Sequence, residues 1–320
     1  GQARNFAVAL VVLWVAAKIP PQQLMRLAVP IYLAGLGLLI SVALFGDIRN
    51  GARRWLNLGF VTVQPSEIMK VGVPLLLAAY FHRKEEGLSV KDYAIAGLIL
   101  MLPTGLIMRQ PDLGTSVLIF ASGFFVIFLA GLSWKLLISG AVAGLAALPL
   151  AWPMLHDYQR NRVLTLLDPN SDPLGAGYHI IQSTIAIGSG GVFGKGWLNG
   201  SQSQLDFIPE RSTDFILAVL GEEFGLIGLL LLITLYMIVI GRGLMIALNA
   251  PTTFSRLLAG AITMTFFTYA FVNIGMVSGV LPVVGVPLPL VSYGGTAILS
   301  MFMGFGILMS IASHKRLVST

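Results

Sequence analysis

Cysteine is absent from the 320 residues, and its absence removes whole classes of chemistry. There is no disulfide framework, no thiolate nucleophile and no Cys-ligated zinc or iron–sulfur site. Charge is scarce as well: Asp, Glu, Lys and Arg make up 11% of the chain, against about 25% in an ordinary soluble domain. The histidines are few and scattered (His82, His156, His179, His314), with no HExxH spacing, which argues against a zinc hydrolase. No GxSxG elbow and no Walker A sequence occurs, so serine hydrolysis and nucleotide hydrolysis lack support. What is present is apolar. Hydrophobic residues make up 56% of the chain, and a soluble domain of this size leaves about a quarter of its surface wet. The composition therefore predicts an all-α, polytopic integral membrane protein. The net charge of +6 is dispersed among apolar segments, a pattern that reflects topology and gives no nucleic-acid footprint.

A spanning helix needs about 20 mostly apolar residues. Nine segments qualify or come close: Phe6–Ile19, Leu27–Phe45, Ile68–Phe81, Tyr93–Met108, Leu113–Ala130, Leu136–Trp152, Phe215–Ile240, Leu257–Val280 and Thr296–Ala312. One set of alternate loops holds ten basic residues: Lys18, Arg26, Arg83, Lys84, Lys91, Lys135, Arg242, Arg256, Lys315 and Arg316. The opposite short segments hold five: Arg4, Arg49, Arg53, Arg54 and Arg109. The positive-inside rule then places the first set, and the C-terminus, in the cytosol.

The outer face carries the unusual features. Residues 153–214 form a loop far longer than an ordinary connection. Within it, Tyr178–Ile187 is apolar but too short to span and reads as an interfacial helix. The glycine-rich runs Gly188–Gly191 and Gly194–Gly196 that follow read as flexible. A second outer segment, Asp47–Gln64, contains Arg53, Arg54 and Trp55. A third, Gly279–Gly295, is apolar but broken by Pro282, Pro287 and Pro289, as expected of a re-entrant or cavity-lining loop.

Candidate chemistry gathers on this side. Glu67 and Lys70 are three apart at the head of a span and share a helix face. They are either a local ion pair, with Pro65 and Glu67 favouring the helix start, or a functional pair at the membrane rim. Asp214 opens the longest span, as an N-cap or as a general base at the water–membrane boundary, with Glu210 and Arg211 beside it. Arg53, Arg54, Trp55 and Arg109 are either headgroup contacts or a clamp on an anionic substrate, with Asp112 orienting Arg109. Glu222 and Glu223 lie inside the Phe215 span: Glu223 reads as a buried acid paired with another helix, and either reads as a proton site. His156-Asp157-Tyr158 reads as ordinary loop hydrogen bonding.

Several stretches carry a family likeness: Arg54-Trp55-Leu56, Gln64-Pro65-Ser66-Glu67, Arg109–Thr115, His156–Gln159, Asp168-Pro169, Asp172–Tyr178, Glu210–Phe215 and Gly285–Gly295. With these motifs the chain resembles the SEDS family (shape, elongation, division, sporulation), nearer its rod-shape branch than its division branch. The resemblance implies one transmembrane domain over 1–320 and a peptidoglycan glycosyltransferase. Such an enzyme polymerises lipid II into β-1,4-linked strands at the outer face of the bacterial cytoplasmic membrane, releasing undecaprenyl pyrophosphate. Ten helices are implied, so nine here place the family's first helix upstream of Gly1. Asp214, Glu67 and Lys70 become the expected catalytic group. Arg53, Arg54, Trp55, Arg109, Asp112, Lys195, Glu210, Arg211, Ser292 and Tyr293 are expected to bind substrate. The resemblance fixes no cofactor, and a divalent cation (magnesium or manganese) is an alternative counter-charge to the basic residues. Expected partners are a class B penicillin-binding protein, which is a transpeptidase, and other membrane proteins of the elongation machinery. Two other readings remain: a lipid II flippase, which predicts midplane ionisable groups and inverted repeats, and a non-catalytic scaffold.

Overall fold

The computed structural model describes residues 2–49, 52–57, 62–84, 87–155, 157–173, 175–205, 207–208 and 210–314. His156, Lys315 and Arg316 of the sequence reading lie outside them. The described residues form twelve α-helices: α1 (Gln2–Lys18), α2 (Pro21–Phe45), α3 (Pro65–His82), α4 (Val90–Met108), α5 (Leu113–Leu129), α6 (Trp134–Ala151), α7 (Asp157–Leu167), α8 (Ala176–Ser189), α9 (Ser201–Gln204), α10 (Ile216–Leu248), α11 (Thr253–Val277) and α12 (Gly295–Ser313). Each of the nine anticipated spans is one of these. Helices α2, α4, α10, α11 and α12 are long and apolar enough by themselves to cross a membrane. Helices α1 and α5 have 17 residues and α3 and α6 have 18, so each is roughly 26 Å long, a little short of a hydrocarbon core of about 30 Å. Where the sequence reading expected only an outer loop, a small antiparallel sheet forms: β1 (Asp47–Arg49), β2 (Ala52–Asn57) and β3 (Thr62–Val63), in that order.

The chain divides into two compact units. The first comprises Gly1–Gly131, Ile238–Thr268 and Gly294–Thr320. At its centre α3 packs on α2 and α5 and also meets α4, α12 and β2. Its Met69, Val73, Leu75, Leu77 and Ala78 are wholly enclosed. Local chemistry sets the helix starts: Pro65 occupies the first turn of α3 with Glu67 behind it. Ser89 and Asp92 form a capping box on α4, and Asp112 and Ser133 cap α5 and α6. The buried Asp92 also accepts from the Tyr80 hydroxyl at 2.8 Å and lies 3.4 Å from Lys84, tying the α3–α4 turn together.

The second unit comprises Leu132–Met237 and Tyr269–Tyr293. Here α10 is broken at Gly225 (φ 64°, ψ −161°), which deprives neighbouring backbone groups of their helical partners. The glycine-rich run after α8 supplies replacements. The amides of Lys195 and Gly196 each donate to the carbonyls of Glu222 and Glu223 at 3.0 Å. The amides of Leu226 and Ile227 donate to the carbonyls of Gly191 and Val192 at 3.0 and 3.2 Å. Backbone groups freed by a helix break need other partners, and this loop is spliced into the helix to supply them. Gly225 is obligatory, because a Cβ there would stand 2.4 Å from the Gly194 nitrogen and its φ/ψ is one that only glycine adopts readily. The expectation that both glycine runs are flexible is thereby corrected.

Candidate functional site

Two groups of the anticipated residues are built, one in each unit. In the first unit β2 sets Arg53 and Arg54 on opposite faces of the sheet by the period of two. Arg54 donates to the Pro111 carbonyl at 2.5 Å and its Nε lies 3.8 Å from Asp112 Oδ2. Asp112 also accepts from the Thr115 amide at 3.2 Å. It therefore caps α5 and pairs with Arg54, which corrects the expectation that it orients Arg109. Arg109 and Arg53 are exposed, and neither forms an ion pair among the described residues. On α3 the Lys70 ammonium donates to Glu67 Oε1 at 2.7 Å, with the Lys70 side chain 7% and the Glu67 side chain 16% exposed. Glu67 Oε2 is buried and accepts no hydrogen bond among the described residues. A buried carboxylate oxygen left open in this way is costly unless something else donates to it.

In the second unit the turn 210–215 presents Asp214 immediately before α10. Its carboxylate accepts no hydrogen bond from any described residue, so it is not consumed as a helix cap. Its Oδ2 lies 3.4 Å from where a Cβ on Gly285 (φ +72°) would stand. Burial, reinforced by the negative charge of Glu210, pushes the Asp214 carboxyl up to about 6. Glu210 takes a left-handed backbone (φ 52°) and accepts from the Thr213 hydroxyl at 2.7 Å. Arg211 donates to the Ser203 carbonyl.

The proline-broken segment is the other wall. Ser292 donates to the Thr213 carbonyl at 2.5 Å and accepts from the Leu288 amide at 2.7 Å. The Tyr293 amide donates to the Ser212 carbonyl at 2.8 Å. Ser292 was expected on substrate; its hydroxyl is instead taken up in holding the Asp214 turn, while the exposed Tyr293 side chain stays available. Tyr236 anchors the same segment through the Pro289 carbonyl at 2.7 Å.

Lys195 has a buried partner. Its ammonium lies 2.7 Å from the wholly buried Glu222 carboxylate, which further accepts from the Ser201 hydroxyl and the Gln202 and Ser203 amides at 3.1, 3.0 and 3.3 Å. The paired buried acid is thus Glu222 rather than the expected Glu223, and its partner is a loop lysine rather than another helix; Glu223 is nearly as buried.

Sequence reasoning missed Asn273 and His179. Asn273 bonds to the Asp214 backbone at 2.8 Å. His179 stacks on Phe215 with ring centroids 5.3 Å apart, and burial holds its imidazole below the ordinary value against the pull of Glu210 and Asp172. A polar residue inside an apolar helix was the one available signal for Asn273. Among the described residues no three of His, Cys, Asp and Glu converge to hold a metal ion.

Comparison with known proteins agrees along the whole chain. Residues 2–317 match the FtsW/RodA/SpoVE family of cell cycle proteins. The chain is 56% identical over 316 residues to the peptidoglycan glycosyltransferase MrdB of Escherichia coli K12, covering 98% of this chain and 85% of that protein. It is 36% identical over 280 residues to the stage V sporulation protein E of Bacillus subtilis, covering 87% and 76%. Among solved structures it is similar to a chain from work on structural coordination of polymerization and crosslinking by a peptidoglycan synthase complex. That match has a TM-score of 0.83 at 36% identity, covering 97% of this chain and 88% of the other. The rod shape determining protein RodA of Thermus thermophilus aligns with a TM-score of 0.71 at 29% identity, covering 96% and 85%.

Proposed function

Since the chain belongs to the FtsW/RodA/SpoVE family of cell cycle proteins, we propose that it is a multi-pass membrane peptidoglycan glycosyltransferase whose general base is Asp214. Its substrate in this reading is lipid II, and its working face is extracytoplasmic, with the C-terminus in the cytosol. The observation that carries the assignment is the state of the Asp214 carboxylate: half-enclosed, free of hydrogen bonds from described residues and raised to about 6. A base is most effective when its pKa approaches the working pH, and a carboxylate consumed as a helix cap would lie far below it.

Asp214 accepts the proton of the acceptor's GlcNAc 4-hydroxyl as that oxygen attacks C1 of the donor MurNAc. The C1–O bond to pyrophosphate breaks with inversion, giving the β-1,4 linkage. The proton stays on the carboxyl group, and undecaprenyl pyrophosphate leaves with the electron pair. Its growing negative charge calls for cations aimed at it. Arg53, Arg54, Arg109 and Lys70 are the candidates, with guanidinium forks suited to phosphate oxygens. Trp55 supplies an apolar surface beside them. The open Oε2 of Glu67 suits a hydroxyl or amide of the substrate, while its other oxygen holds Lys70. Glu210 and Arg211 lie in the turn that carries Asp214, and Tyr293 is held against it. A class B penicillin-binding protein would cross-link the strands, in keeping with the synthase complex to which the fold is similar, and other elongation proteins would share the membrane.

The test is to reconstitute the purified chain with a class B penicillin-binding protein and labelled lipid II, with a moenomycin-type inhibitor silencing contaminating classical glycosyltransferases. Glycan strands on gels support the reading. Transbilayer movement of lipid II in vesicles without strands would point to a flippase, and neither activity from folded protein to a scaffold.

A further inference from the structure

Asn273 lies in α11 and is wholly enclosed. Burying an uncharged amide in an apolar helix costs free energy, and each hydrogen bond it makes offsets part of that cost. Its Nδ2 gives one hydrogen to the Asp214 carbonyl at 2.8 Å and the other to the Val286 carbonyl at 2.7 Å. Both neighbours are acceptors, so the amide orientation is fixed: only the NH2 group can face them. Oδ1 accepts nothing among the described residues, so these two bonds alone set the side chain's place. They join the turn carrying Asp214 to the segment carrying Gly285, and Gly285 is the residue lying against Asp214 Oδ2. A serine could supply only one such hydrogen, and a lysine or arginine would bring a full charge beside the carboxylate.

We infer that Asn273 is a positioning residue for glycosyl transfer: it clamps the Asp214 backbone to the Val286 segment, keeping the carboxylate in its half-dry niche with an open acceptor face. The inference rests on the reading of Asp214 as general base. The charged groups near that carboxylate are few. Glu210 faces it from its own turn, and Arg211 lies in the same turn. His179 of α8, with Asp172 and Glu210 around it, stacks on the neighbouring Phe215. Along α10, Glu222 is engaged by Lys195, and Glu223 follows it. The 269–293 stretch contributes no charged residue, only the phenols of Tyr269 and Tyr293. The titration of Asp214 therefore answers to its enclosure and to Glu210, and losing the clamp admits water to the niche.

The experiment compares wild type, Asn273→Ala, Asn273→Ser and Asn273→Gln as full chains with the transpeptidase partner, following lipid II polymerisation from pH 4.5 to 8.5. For Asn273→Ala, kcat should fall on the order of 10- to 100-fold with KM for lipid II little changed. The acidic limb of the profile should move from about 6 toward the ordinary carboxylate value near 4. Asn273→Gln, which keeps the NH2 group, should recover part of both. A lower rate with an unmoved acidic limb means a merely structural loss and overturns the inference. If Asn273→Ala does not fold, Asn273→Ser, with one donor left, carries the same criterion: an intermediate limb supports the clamp and a wild-type limb refutes it. Asp214→Asn in parallel separates the premises. Full activity there removes the reading of the base itself, whereas its loss beside an unmoved Asn273 limb removes only the positioning role.

Discussion

Replacing Lys195 by methionine should destabilise the second unit more than any loss of surface charge would. Glu222 is wholly enclosed, and among the described residues Lys195 is its charged partner, at 2.7 Å. Its remaining donors are neutral: one hydroxyl and two backbone amides at 3.0 to 3.3 Å. Breaking a buried ion pair from one side costs about 3–5 kcal/mol, because a charge is left without compensation. The three surviving donors place Lys195→Met at the lower end, about 3 kcal/mol. In Glu222→Gln the carboxylate itself is gone and a lysine that is 31% exposed can turn to water, so the cost should be about 1–2 kcal/mol. The double variant should then cost about as much as Glu222→Gln alone, a coupling of roughly 3 kcal/mol, at the top of the 0.5–3 range for contacting residues. The assay is thermal unfolding in detergent, followed by tryptophan emission. Trp197 packs on Phe224 at 5.6 Å between ring centroids, beside the splice, and reports locally. Additive single-variant effects, each below about 0.5 kcal/mol, would place the pair among solvated surface bridges and refute the account of a loop locked into a broken helix.

Three further expectations follow from other parts of the fold. Gly225→Ala should cost about 1–3 kcal/mol in backbone strain alone, with more from the contact at Gly194, and limited proteolysis should cut first in residues 188–200. Lys70→Met should lower polymerisation at least tenfold, about 1.4 kcal/mol in the barrier. Adding Glu67→Gln to it should recover melting temperature but not rate, since a buried unpaired carboxylate is removed while the cation stays lost. Asp214 should oppose folding as pH rises. Its carboxyl is raised from 3.8 to about 6, so the native state holds a proton that the unfolded chain has released between those values. Stability therefore falls across that window. Discounted for solvent access, the effect is about 1–2 kcal/mol. Asp214→Asn should melt higher than wild type at pH 7.5, with the difference vanishing near pH 4.

The helices were legible because apolar runs of about 20 residues have few alternatives in a membrane. The Glu67–Lys70 pair was legible because three residues along a helix bring side chains together. Asp214 stood out as an acid opening the longest span. What stayed hidden depends on partners distant in sequence. The runs around Lys195 read as flexible because glycine is permissive, and nothing local shows that their amides meet the carbonyls of Glu222 and Glu223. Lys195 consequently read as a substrate-binding residue. Asp112 stands close to Arg109 in sequence, but the sheet carries Arg54 to it. The strands escaped notice because each is six residues or shorter. Ser292 read as a substrate contact from its motif, and its bond to the Thr213 carbonyl is visible only once the proline-broken segment is seen beside the Asp214 turn.

The most direct measurement of the central claim is lipid II polymerisation by Asp214→Asn, purified with a class B penicillin-binding protein and shown to be folded by its melting curve. The substitution keeps the shape and removes the basic oxygen, so glycan strands should fall by at least two to four orders of magnitude, the usual contribution of a positioned base. Lipid II should still bind. Strands formed at near wild-type rate by folded Asp214→Asn protein would contradict the account and require another group to take the proton.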